Sequence, residues 1–79
     1  MKEQQVQTKI IKRFEADGYY VIKLAKTSKN GIPDLLCLPK NCNAVFIEVK
    51  KPGKKPSPLQ EYRIKELTNH GVKAIVLDE

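Results

Sequence analysis

Two acidic residues, Asp34 and Glu48, are spaced so that they should meet at one end of a β-hairpin. Asp34 opens the apolar run DLLCL (34–38), and Glu48 lies near the end of AVFIEVK (44–50), with the turn-forming PKNCN between them. In an antiparallel hairpin the start of one strand lies beside the end of the other. Two adjacent carboxylates repel each other unless a cation lies between them, and oxygen ligands with water favour magnesium or manganese over zinc. The spacing therefore predicts a divalent-cation site.

Each half of this pair also has a simpler explanation. Alternation along the strand puts Glu48 and Lys50 on the same side, about 6.6 Å apart, which also fits an ordinary ion pair where a strand emerges into solvent. Asp34 follows Pro33 and would suit a turn in which an aspartate bonds to nearby backbone. Neither residue decides the matter alone, and only the expected pairing of the two favours a cation site.

Helical spacing indicates two further polar residues as candidates for the site. Glu3 begins the core-facing stripe of a predicted helix over residues 2–17. Gln60 begins the corresponding stripe of a second helix, which starts after Ser57 and ends near His70. An acidic residue in a first helical turn is favoured by the helix dipole. A serine followed by glutamine three positions later forms a capping box. Each residue thus has a local structural interpretation beside a functional one.

The hydrophobic pattern predicts the element order αβββαβ. The two helices alternate with four apolar or β-branched segments that we interpret as strands, at 19–24, 34–38, 44–50 and 72–77. A hairpin meander followed by a strand–helix–strand crossover implies a mixed β-sheet flanked by helices. The sequence therefore predicts a single α/β domain over residues 1–79.

The composition limits the possible functions. The 79 residues carry a net charge of +6, which favours an anionic partner, most often nucleic acid. No run approaches the roughly 20 apolar residues of a membrane span, and the polar N-terminus does not resemble an export signal, so we expect a cytoplasmic protein. Cys37 and Cys42 should be free thiols, and with His70 they are too few for a structural zinc site. So short a chain also disfavours an enclosed pocket for an organic cofactor.

The order of these motifs resembles one nuclease family. GIPD at 31–34, EVK at 48–50 and SPLQ at 57–60, after an N-terminal Glu3, are similar to the VRR-NUC (virus-type replication-repair nuclease) domain, a branch of the PD-(D/E)XK superfamily. The superfamily core has the same αβββαβ order and resembles that of restriction endonucleases. The resemblance covers nearly the whole chain and implies a metal-dependent endonuclease.

The resemblance implies a role for each motif residue. Asp34, Glu48 and the backbone carbonyl of Val49 would bind Mg²⁺, for which Mn²⁺ should substitute. Glu3 would add a ligand directly or through water. Lys50 would orient the attacking water or stabilise charge on the phosphoryl oxygens. The remaining catalytic position is Gln60, which would position the lysine or the water.

The substrate implied is structured DNA. The lysine-rich loop that follows the strand should clamp phosphates through Lys51, Lys54, Lys55 and Ser57, and a weaker contact is expected from Lys26, Ser28 and Lys29. A homodimer that cuts four-way (Holliday) junctions suits a small stand-alone domain of this family. The alternatives are a non-catalytic basic nucleic-acid-binding module and a nuclease specific for flaps or RNA.

Overall fold

The computed structural model describes residues 2–40 and 43–78. Cys42, which we expected to be a free thiol, and part of the predicted PKNCN turn lie outside the described residues. Every predicted helix and strand is found, and the observed ends differ from the predicted ones by no more than one residue. The elements are α1 (Glu3–Ala16), β1 (Tyr20–Lys23), β2 (Leu35–Leu38), β3 (Val45–Val49), α2 (Pro58–Asn69) and β4 (Lys73–Leu77).

The four strands form one mixed sheet in the order β1-β2-β3-β4. β1 and β2 are antiparallel, β2 and β3 are antiparallel, and β3 and β4 are parallel across the α2 crossover. Leu35 pairs with Ile47 in the β2–β3 hairpin. One further step in this register brings Asp34 opposite Glu48, as the hairpin argument predicted. The mixed α/β fold predicted from the sequence is confirmed.

The core lies between α1 and one face of the sheet. Val6 and Ile10 stand one helical turn apart and are fully buried against the strands. The other buried apolar residues of this core are Leu35, Cys37, Ile47 and Val49. Burial raises the pKa of the Cys37 thiol, so this cysteine is a protonated core residue, as expected.

The opposite face of the sheet is only partly covered. α2 packs mainly against β4, and the β1 side of this face carries Tyr20 and Ile22, whose exposed fractions are 69% and 37%. In the row of cross-strand neighbours, Ile22 is followed by Leu36 and then by Phe46. Glu48 follows Phe46 on the same face, since strand residues two apart point the same way. The candidate site therefore lies on the partly open face of the sheet.

Glycines and caps end the helices where the sequence suggested. Gly18 and Gly71 follow α1 and α2 with φ angles of +90° and +85°, in the left-handed region that glycine adopts most easily. His70 is the C-cap of α2, and its Nδ1 lies 2.8 Å from the carbonyl oxygen of Glu66. Over the described ranges, neither helix has the length and apolar character needed to cross a membrane.

Candidate active site

Glu48 is almost completely withdrawn from water. Only 1% of its surface is exposed, and its Oε2 accepts a hydrogen bond from Gln60 Nε2 at 3.1 Å and lies 3.6 Å from Lys50 Nζ. Its second oxygen, Oε1, is buried and has no hydrogen-bond partner among the described residues. A buried carboxylate oxygen without a partner is costly, and such groups usually pair with a proton or a cation. The interpretation of Glu48 as an ordinary surface ion pair is therefore wrong.

Asp34 is fixed beside Glu48 by both of its neighbouring strands. Its Oδ2 accepts a hydrogen bond from the Val49 backbone N–H at 2.9 Å. Its backbone carbonyl accepts one from the Leu24 N–H at 2.8 Å. The carboxylate thus accepts a hydrogen bond from β3, so Asp34 is not only a local turn residue. Its geometry is determined by the sheet.

The pKa of Glu48 is raised by its surroundings, which include Asp34. Burial, the negative charge of Asp34 and a hydrogen bond with Asp34 together raise the pKa of Glu48 to about 8, although Lys50 acts in the opposite direction. When both carboxyls are ionised, the single ammonium of Lys50 does not balance their two negative charges, so the ionised pair is short of positive charge. A hard cation, with its preference for oxygen ligands, fits this donor set.

Gln60 makes hydrogen bonds both to Ser57 and to Glu48. Its Oε1 accepts from the Ser57 N–H at 2.8 Å, and its own N–H donates to Ser57 Oγ at 3.2 Å, which completes the capping box at the start of α2. Its Nε2 meanwhile donates to Glu48. The local and the functional interpretations of this glutamine are both correct, because an amide carries an acceptor and a donor.

Lys50 lies at the end of β3 with its side chain pointing to the acidic pair. Its backbone N–H donates to the Leu77 carbonyl at 2.9 Å, which extends the β3–β4 ladder by one bond. Its side chain is 13% exposed. Because its backbone is anchored and its side chain is mostly buried, placing the ammonium group at the site costs little additional side-chain entropy.

Glu3 is not grouped with the acidic pair as a third potential metal ligand in the described part of the chain. It is the first residue of α1 and is half-buried. Within residues 2–40 and 43–78, no three His, Cys, Asp or Glu side chains are grouped so that they could hold a metal ion. The structure thus brings Asp34, Glu48, Lys50 and Gln60 together but does not join Glu3 to them in a three-carboxylate set.

The predicted phosphate-binding residues lie in two loops. Lys54, Lys55 and Ser57 are exposed and Lys51 is half-buried, in a loop that turns at Gly53 (φ +87°) and leads into α2. The other loop connects β1 to β2 and carries three exposed candidates, Lys26, Ser28 and Lys29.

Arg63, which the sequence did not single out, joins α2 to the second loop, and Gly31 packs closely against the same helix. Arg63 Nε donates to the Asn30 carbonyl at 2.8 Å, and its guanidinium forms an ion pair with Glu66 at 2.8 Å. Gly31 has φ +81°, and a Cβ there would lie 2.7 Å from Leu59 Cγ. Asn30-Gly31 is a typical turn sequence, but its contact with α2 depends on residues far along the chain.

Comparison with known proteins decides the family. The family model described as "VRR-NUC domain" matches residues 1–78. The chain belongs to the VRR-NUC family. Among curated proteins, it is 30% identical over 78 residues to the one named "Putative nuclease p44" of Acyrthosiphon pisum secondary endosymbiont phage 1, covering 99% of this chain and 84% of that protein.

Solved structures of the VRR-NUC family have the same fold. One, described as a VRR_NUC domain, superposes with a TM-score of 0.87 and 33% identity, covering 98% of this chain and 84% of its own. A second, described as a VRR_NUC domain protein, gives a TM-score of 0.75 at 22% identity, covering 99% and 78% respectively, and bears on the fold alone. Membership of this family supports a nuclease, that is, a hydrolase.

Proposed function

We propose that this VRR-NUC domain is a metal-dependent endonuclease that hydrolyses phosphodiester bonds in structured DNA. The observation that carries the proposal is the buried Glu48, held beside Asp34, with one oxygen that has no hydrogen-bond partner in the described part of the chain. A module that only binds phosphate gains nothing from two adjacent acids, since they repel its ligand. A divalent cation bound by both acids removes this conflict.

Three groups would hold the cation: Asp34, Glu48 and the backbone carbonyl of Val49. Glu3 would add a ligand directly or through water. We propose Mg²⁺ as the physiological ion, with Mn²⁺ able to replace it. The ion supplies positive charge that polarises a phosphodiester and makes nearby water more acidic.

The other site residues act through charge and hydrogen bonds. The Lys50 ammonium would orient the attacking water or stabilise negative charge that develops on the phosphoryl oxygens. Gln60 would keep Glu48, and through it Lys50, in position, since both contact the same carboxylate oxygen. Because Gln60 also caps α2, the helix holds the amide in the orientation that this role requires.

DNA binding would depend on the phosphate backbone. The net charge of +6 supports an anionic substrate. The main phosphate contacts are proposed for Lys51, Lys54, Lys55 and Ser57, near the N-terminus of α2, where free N–H groups favour anions. Secondary contacts are proposed for Lys26, Ser28 and Lys29. Such contacts recognise shape and charge and give little base specificity.

We further propose that the chain acts as a single nuclease domain, as a homodimer, on four-way junctions. The exposed Tyr20 and Ile22 on the edge strand β1 supply apolar surface that a second copy would cover. Two active sites related by two-fold symmetry suit a junction that has two strands to cut. The phage origin of one relative supports a role inside a bacterial or phage-infected cell.

The test is a cleavage panel of duplex, flap, splayed and four-way DNA with matching RNA, in Mg²⁺ and in EDTA. We expect paired symmetric nicks in four-way junctions that require the metal and are abolished in Glu48→Gln and in Asp34→Asn. Full activity in either variant would refute the proposed site. Binding without cleavage of any substrate would favour a non-catalytic module, and preference for flaps or RNA would correct the substrate.

A further inference from the structure

An apolar pocket adjoins the acidic pair on the same face of the sheet. Its volume is about 290 Å³. Leu36 and Phe46, which are cross-strand partners, belong to its lining and lie two residues from Asp34 and Glu48 respectively. Residues two apart on a strand are separated by about 6.6 Å on the same face. The pocket therefore begins one residue pair beyond the candidate active site.

The pocket is predominantly apolar, with its polar groups on the loop side. The apolar lining is completed by Leu24, Ile32 and Leu67, and the β1–β2 loop contributes Thr27, Ser28 and Lys29. On the loop side the Thr27 hydroxyl donates to the Lys29 carbonyl at 2.6 Å, so Ser28 supplies a hydroxyl group and Lys29 a positive charge, whereas the sheet side supplies an aromatic ring and aliphatic carbon. This combination matches a ligand that has a flat apolar part and an anionic part.

We propose that this pocket receives one unstacked nucleobase of the strand that is bound at the acidic pair. The inference rests on the proposed nuclease function, because it is the phosphate near Asp34 and Glu48 that brings the neighbouring base within reach. Phe46 offers a ring for stacking, and Lys29 on the loop side offers a positive charge for the backbone of the same nucleotide. Stacking on an aromatic side chain tolerates every base, so no sequence preference follows.

Charge favours a nucleotide over a second copy of the chain as the occupant. The proposed dimer contact is at Tyr20 and Ile22 on the β1 edge, whereas in the pocket a second copy would bring its own basic surface toward Lys29 and a nucleotide brings opposite charge. The proposal also gives a reason for preferring branched DNA: bases at a branch point unstack at lower cost than bases inside a duplex.

The experiment compares intact junctions with junctions that carry a single abasic site at successive positions across the branch. Affinity is measured by fluorescence anisotropy in EDTA, and cleavage is measured separately with Mg²⁺. One abasic position adjoining the cleaved phosphate should weaken binding by a factor of about 5 to 150, the range for one stacked base. Abasic sites elsewhere should have little effect.

Two variants test the pocket itself. Ser28→Leu fills it from an exposed loop position without adding a ring, and Phe46→Leu keeps the apolar lining but removes the ring. In both, the ratio of intact to abasic affinity should fall toward one. The control Thr8→Leu, on an exposed position of α1, which covers the other face of the sheet, should keep the wild-type ratio, and thermal melting verifies that each variant is folded.

The outcomes separate this inference from the proposed function. Equal affinity for intact and abasic DNA at every position would overturn the base pocket even if cleavage is normal. A preserved ratio in folded Ser28→Leu and Phe46→Leu would also overturn it. Absence of cleavage with a clear abasic effect at the branch would refute the nuclease and leave the pocket supported. Loss of the dimer in Ser28→Leu, measured by light scattering, with no abasic effect in wild type, would assign the pocket to a second copy instead.

Discussion

Glu48→Gln is expected to stabilise the metal-free protein at neutral and alkaline pH while it removes cation binding. The glutamine keeps the shape of the side chain and an acceptor for Gln60, but it cannot ionise. It also places an amide, which can donate, beside the Asp34 carboxylate. The variant therefore removes the cost of a buried charge and, with it, the charge that a cation needs.

The size and sign of the effect follow from the pKa of Glu48, which is raised from 4.5 to about 8. Below about pH 4.5 the carboxyl is protonated in both the folded and the unfolded protein, and its contribution to folding is fully retained. As the pH rises toward 8, the unfolded chain releases its proton before the folded one does, so the free energy of unfolding falls. At about 1.4 kcal/mol per pH unit, the loss reaches about 5 kcal/mol at most. The glutamine variant avoids this loss.

The assay is urea unfolding of the wild type and the variant at pH 5, 6.5 and 8, in EDTA and in excess Mg²⁺ or Mn²⁺. In EDTA the stabilities should be similar at pH 5 and should diverge by several kcal/mol in favour of Gln at pH 8. A cation at one hundred times its Kd should restore about 2.7 kcal/mol to the wild type alone. Glu61→Gln, which changes an exposed acid on α2, is the matched control and should follow the wild type. Parallel pH profiles of wild type and Glu48→Gln, or equal stabilisation of both by Mg²⁺, would refute the reasoning.

Three further outcomes are expected. Lys50→Ala should nearly abolish cleavage yet retain Mn²⁺ binding in calorimetry, and loss of binding would show that the lysine organises the metal site instead. Replacing the lysines at 51, 54 and 55 by glutamine should weaken binding to all DNA sequences alike. It should also reduce the slope of log affinity against log salt by up to about 0.9 for each phosphate that the variant no longer binds. An effect on one sequence only would indicate base reading. Gly31→Ala should destabilise the fold by about 1–3 kcal/mol in urea unfolding, because its Cβ would crowd Leu59 at a positive φ; an unchanged midpoint would show that the loop yields freely.

The sequence alone determined the elements and their order. Apolar periodicity, the Ser57 cap and the glycines after each helix are local signals, and the observed boundaries lie within one residue of the predicted ones. The meeting of Asp34 and Glu48 was also predictable, because a short turn between two apolar runs leaves few registers for a hairpin. Hairpin register is a local property even though it joins residues 14 positions apart.

The tertiary structure determined the burial, the hydrogen-bond partners and the pKa values of these residues. The strand pattern allowed Glu48 to be a solvated surface residue, but the folded protein buries it, and Gln60 of α2 donates a hydrogen bond to it. The same packing leaves one Glu48 oxygen without a partner among the residues that the structure describes, turns the capping amide of Gln60 toward the acid and closes Gly31 against Leu59. Burial and pKa are sums over neighbours from several elements, so no local pattern in the sequence encodes them.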